Sequence, residues 1–131
     1  MFVQAQAYKS EIELLKCNKT ILKSSSIYKL SPFIGEDGLM RVGSRLQYAD
    51  LSYDEKFPIL LPKGHVALLI IRYHHDFMKH AGVNLLIASL RCNFWIMGCR
   101  RIAKSVIAKC ISCQKLDSKS CQQPMAPLPA D

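Results

Sequence analysis

Two short pairings constrain this chain more than anything else in it: His75-x4-His80 and, after 29 intervening residues, Cys110-Ile-Ser-Cys113. A lone Cys-x-x-Cys is a modest signal, open to a redox dithiol, half a metal site or chance. Following a histidine pair, it falls within the spacings of structural zinc sites, with the histidines first. Two thiolates and two neutral imidazoles complete a tetrahedron and leave no position for a reactive water, so such a site is structural and not catalytic. A redox dithiol opens a helix that follows a strand, where the helix dipole depresses a thiol pKa. Here the pair is expected at the C-terminal end of a helix, where a thiolate needs a cation to hold it.

The histidine side leaves a choice. His74, His75 and His80 all lie in YHHDFMKHAG, residues 73–82. On a helical wheel, Val66, Leu69, Ile70, Tyr73 and Phe77 share one face, and Leu68, Ile71, His75 and Met78 another, with Arg72, Asp76 and Lys79 in a polar wedge between them. His74 and His75 both fall outside the wedge, so the wheel does not choose between them. A helix apolar on two sides is expected to be sandwiched, between a β unit and a second helical layer. An unbroken helix would hold His75 and His80 about 140° apart. They reach one metal only if the helix ends near Lys79, and Gly82 is expected to end it in the left-handed position of a helix C-terminus. The spacing also excludes a His-Glu-x-x-His protease, which needs a glutamate base and histidines four apart. His65 reads as an exposed or capping histidine.

The remaining composition fits this picture. A chain of 131 residues, half hydrophobic and 21% charged, is globular, and long enough for one domain or a small domain with an extension. Its longest apolar run, VALLII at 66–71, is far short of a membrane span. MFVQAQAYKSEIELL has none of the features of a secretory leader. The even cysteine count therefore reads as an intracellular set and not a disulfide framework. Cys17, Cys92, Cys99 and Cys121 are expected to be small buried or idle side chains. Charge is uneven: residues 72–131 hold nine Lys/Arg against three Asp/Glu, whereas residues 1–71 hold nine against seven. That is a solvated basic face or a nucleic-acid footprint.

The chain divides into four stretches. Residues 1–30 comprise a short amphipathic helix, with Tyr8, Ile12 and Leu15 on one face, and the linker KSSS at 23–26. Residues 31–64 form a small β extension, with a hairpin turn at Glu36-Asp37-Gly38 and an edge strand at PILLP, 58–62. Residues 65–119 form the helical zinc unit. Its second helix covers 84–91 with Asn84 as a possible N-cap, NFWIMG is irregular, and its third helix covers 99–110. Residues 120–131 are a Pro/Gln/Ser-rich linker. The fold class is thus α+β: a β-hairpin extension followed by a zinc-stapled three-helix domain.

The run HHDFMKHAGVNLLIASLRCNFWIMGCRRIAKSVIAKCISCQK resembles the His-His-Cys-Cys zinc-binding domain of retroviral and LTR-retrotransposon integrases. The upstream LSPFIGEDGLMRVGSRLQYADLSYDEKFPILLPKGH is similar to the matching extension in BEL/Pao-type elements, and EIELLKCNKTILKSSSIYKL to the polyprotein stretch before it. Hairpin, histidine pair, Trp95 and Cys-x-x-Cys keep the family's order and spacing. The resemblance implies one structural zinc on His75, His80, Cys110 and Cys113, with His74 at a variable position and Trp95 packing beside the metal. Phe57, where a His is expected, and Met97, where a Pro is common, depart from the pattern.

By the same resemblance, the catalytic carboxylates belong to a following RNase-H-like core that would begin near PLPAD, so this stretch is expected to be non-catalytic. The family's version contacts element-end DNA and helps integrase protomers assemble, in the nucleus. Candidate DNA contacts here are Arg100, Arg101, Lys104, Lys109 and Lys115, with Lys119 beyond, acting mainly on phosphates. The alternative is a protein-interaction module whose zinc only stabilises a surface, using the helix with two apolar faces.

Overall fold

In the computed structural model, which describes residues 2–46 and 48–121, four short strands precede or thread between seven helices. The N-terminal stretch expected as one helix is two, α1 (Phe2–Ala7) and α2 (Lys9–Lys16), broken at Tyr8. Tyr8, Ile12 and Leu15 nevertheless share the buried face. The hairpin joins β1 (Phe33–Ile34) to β2 (Met40–Arg41), with Gly38 at φ 72° taking the left-handed turn position at no Cβ penalty. Then follow α3 (Tyr53–Lys56), β3 (Ile59–Leu61), α4 (His65–Phe77), α5 (Val83–Arg91), β4 (Phe94–Ile96), α6 (Cys99–Lys109) and α7 (Ile111–Asp117). The architecture is α+β: a four-stranded sheet, then helices bridged by a His-His-Cys-Cys group. The expected linker lies outside the described residues from 122 onward. Among the described residues no helix is long and apolar enough to cross a membrane.

The sheet differs from the expected one in two respects. PILLP is not an edge: β3 is an inner strand, antiparallel to β2 and parallel to β4. Its prolines flank the three paired residues and so remove no ladder bond. NFWIMG is not irregular, because Phe94–Ile96 is that parallel fourth strand. Met97 extends the ladder by donating its N–H to the Leu61 carbonyl at 3.1 Å. A proline there would have no N–H to give, which is a physical reason for the Met.

Because strand side chains alternate, β3 faces two cores at once. Leu60 points into an N-terminal cluster with Tyr8, Ile21, Ile27, Met40 and Val42. Its neighbour Leu61 points the other way, to Ala67, Ile71, Leu86, Leu90, Ile96, Ala103 and Val106 of the helical layer. Trp95 packs against the first cluster and Phe94 against the second, so β4 divides in the same manner.

Two polar fittings hold the N-terminal half. The fully enclosed Gln4 amide donates to the carbonyls of Met40 and Leu60 and accepts the Met40 N–H at 3.0 Å, tying α1 to β2 and β3. Buried Arg41 donates to Asp37, Asp54 and the Phe57 carbonyl and lies 4.8 Å from the centre of the Tyr53 ring, linking the hairpin to α3. Phe57, the second departure from the family pattern, packs edge-on against Phe33 at 5.2 Å. Gln4→Ala strands backbone groups in an apolar setting and is expected to cost about 1–3 kcal/mol. Urea titration checks this, with the exposed Gln6→Ala as the control expected to be near neutral.

Candidate metal centre

The end of α4 solves the spacing of the histidines. Met78 caps the helix, and Lys79 and His80 then take positive φ values of 54° and 63°. The Lys79 N–H donates to the Asp76 carbonyl at 3.1 Å, and the His80 N–H to the His75 carbonyl at 2.9 Å. This pair of bonds is the Schellman motif, which sets the residue two past the cap beside the last-but-two residue of the helix. An apolar contact usually occupies that pairing; here it is His80 on His75, with ring centres 4.9 Å apart. The helix therefore ends near Lys79 as the geometry required, but Gly82 is not the left-handed residue. It has φ −65° and ψ 164°, extended backbone, and caps the start of α5 in place of Asn84.

The thiols arrive from the other side. Cys110 is the last cap of α6 and the first of α7, with φ −79° and ψ 117° turning the chain between them. The pair thus opens a helix as well as closing one, contrary to the expectation from sequence. The Cys113 N–H, donating to the Cys110 sulfur, holds that thiol below its ordinary pKa. Desolvation, then the neighbouring Cys110 thiol, pushes Cys113 above it. Position on the helix therefore does not exclude redox chemistry; the histidines beside both sulfurs weigh against it.

His75, His80, Cys110 and Cys113 form the one such group of metal-ligating side chains among the described residues, their donor atoms all within 4.8 Å of one another. His75 Nε2 lies 3.2 Å from His80 Nδ1 and 3.3 Å from the Cys113 sulfur. His80 Nδ1 lies 3.3 Å from the Cys110 sulfur. Donors held 2.0–2.3 Å from a zinc at tetrahedral angles stand about 3.3–3.8 Å apart, so these separations approximate the edges of that tetrahedron. Two sulfurs and two imidazole nitrogens, with no carboxylate in the group, suit zinc and leave no open position. His75 is buried, and its Nδ1 has no hydrogen-bond partner, so packing and not a hydrogen bond fixes the ring. His74 is not in the group; its ring meets Tyr73 and Phe94 edge-on.

A small α+β unit with a closed, cross-element donor set belongs to the class of zinc-stabilised domains. Residues 62–119 match the family model described as integrase zinc binding domain, and the four donors of this stretch make one His-His-Cys-Cys zinc site consistent with that match. The match covers that domain and no catalytic core. No curated protein and no solved structure matches the chain.

The basic residues separate into two groups. Arg100, Arg101 and Lys104 line a groove beside α5 and β4, together with Arg91, which did not stand out in the sequence, and Asn84, which was expected only as a helix cap. Lys109 and Lys115 are exposed on α6 and α7 away from that groove, and Lys119 is exposed beyond them. The α4 helix is not sandwiched: Val66, Leu69, Tyr73 and Phe77 leave their common face exposed. Cys17, Cys92 and Cys121 are exposed free thiols and Cys99 is half-buried.

A left-handed backbone strains any side chain with a Cβ. Lys79→Gly should therefore stabilise the protein by about 1 kcal/mol with zinc content unchanged. Denaturant unfolding with parallel zinc analysis reads both.

Proposed function

We propose that this chain is the zinc-stapled, non-catalytic module of an LTR-retrotransposon integrase, supporting nucleic-acid binding and protomer assembly in DNA integration. The observation that carries it is the set of four donors gathered within 4.8 Å of one another, three of their separations at 3.2–3.3 Å, inside the stretch that matches the integrase zinc-binding family. His75 through Nε2, His80 through Nδ1, and the Cys110 and Cys113 thiolates hold the ion. When bound, zinc cross-links the end of α4 to the α6–α7 corner. The BEL/Pao assignment rests on the resemblance of the hairpin extension. The basic excess after residue 71 supports contact with DNA phosphates, Arg100, Arg101, Lys104, Lys109 and Lys115 being the assigned contacts. An intracellular, nuclear site of action follows from that role.

A second reading, a protein-interaction module, is favoured by the exposed face of α4, where Tyr73 and Phe77 stack at 6.2 Å and are about two-thirds exposed. Titration with duplex DNA at two salt concentrations separates the two readings. Binding that weakens steeply with salt supports the first, and negligible binding at low salt leaves the second.

For the metal, native mass spectrometry of protein purified without added zinc should find one zinc per chain. A metal-free chain that is fully folded and indifferent to chelator would overturn the assignment. His80→Ala and Cys110→Ser should abolish zinc retention and raise hydrogen exchange throughout 65–119, because structural zinc contributes directly to folding. His74→Ala should do neither, and equal effects of His74→Ala and His75→Ala would refute the ligand set.

A further inference from the structure

The open groove between α5, β4 and the first turns of α6 has a volume of about 820 Å³. Its charged lining has one sign: Arg91, Arg100, Arg101 and Lys104, with no carboxylate of the described residues among them. Arg100 donates to the Asn84 side-chain oxygen at 2.9 Å, which fixes its direction but neutralises nothing. Among the described residues none of the four makes an ion pair. Helix stability does not explain them either. Two arginines in the first turn of α6 stand at the positive end of the helix dipole, where acidic residues are favoured and none is present. Groups arranged against the preference of their own element are expected where a ligand compensates.

The shape of the groove narrows what that ligand can be. A duplex is read by a convex ridge, a helix or ribbon inserted into its major groove. Here the protein is the concave partner, and the space is that of a small-ligand pocket. On its wall the Arg91 guanidinium lies over the Trp95 ring, 5.3 Å from its centre, making a cation–aromatic pair. Bases of unpaired strands stack on such guanidinium and aromatic planes, while cations along a groove follow the phosphates.

We propose that this groove holds a single strand of nucleic acid, with phosphates on Arg100, Arg101 and Lys104 and a base stacked against the Arg91–Trp95 pair. The assignment rests on the nucleic-acid reading above and narrows it to one strand form and one face of the domain.

Trp95 is the only tryptophan in the chain, so tryptophan emission comes from the one ring that lines this groove. The zinc-loaded full chain is titrated with an oligothymidylate, a duplex of equal length, inorganic phosphate and polyglutamate. The single strand should change Trp95 emission and bind about tenfold tighter than the duplex. Arg91→Ala should weaken single-strand binding on the order of tenfold and leave the salt slope nearly unchanged, because Arg100, Arg101 and Lys104 and not Arg91 carry the phosphates. Arg91→Lys should keep the slope but lose the emission change, with zinc content unaltered in both variants.

Tighter duplex binding, or strand binding with Trp95 emission unchanged and Arg91→Ala silent, refutes the groove. In that case the nucleic acid lies on the outer face with Lys109 and Lys115, and the function proposed above stands. Polyglutamate or phosphate matching the strand would make the groove a general anion site and also overturn the inference. Failure of both nucleic acids to bind at low salt sinks the groove and the DNA reading together.

Discussion

Everything beyond residue 64 depends on one reversal of backbone hand, at Lys79 and His80. A continuous α-helix would carry His80 well round the cylinder from His75. The left-handed step instead folds the chain back so that both imidazoles face one point, and it satisfies two terminal carbonyls of the helix in doing so. The thiols need no comparable distortion, because Cys110 sits at the natural corner between two helices. The strain of the site is therefore concentrated on the histidine side. A domain this small has limited apolar area with which to oppose chain entropy, and a metal staple is the usual remedy.

The second organising element is β3, three residues long and shared by both cores. Leu60 and Leu61 belong to different clusters although they are adjacent in sequence. The parallel pairing of β3 with β4 then makes the hairpin sheet and the helical layer one continuous packing problem. Gln4 adds α1 to it through the backbone of two strands at once. The zinc fixes the far end of the helical layer, and the sheet fixes its near end.

Much of the metal chemistry was legible in the sequence, because donor types and local spacing are carried by the residues themselves. The hairpin was legible too, since Gly38 between short apolar runs has few other uses. The left-handed residue was misplaced because glycine is the default for that conformation, whereas here the hydrogen-bonding pattern of the helix end imposes it on a lysine and a histidine. Strand β4 escaped notice because a three-residue aromatic run has no periodicity to read. Its partner lies more than thirty residues upstream, and only tertiary packing reveals it. The groove was hidden for the same reason: Arg91 and Arg100 face a common space only after α5 and α6 are packed. The α4 helix shows the opposite error, since its second apolar face was real in sequence but has no cover among the described residues.

The position of β3 also bears on how this unit can be cut from a longer chain. The family match starts at residue 62, one residue after β3 ends. Excision at that boundary would keep all four metal ligands and discard the strand against which Phe94–Ile96 is paired. The remnant would present bare strand edges beside a half-uncovered Ile96, a template for association with other copies. The helical layer thus leans on a strand that lies outside the matched stretch and contributes no ligand to the ion.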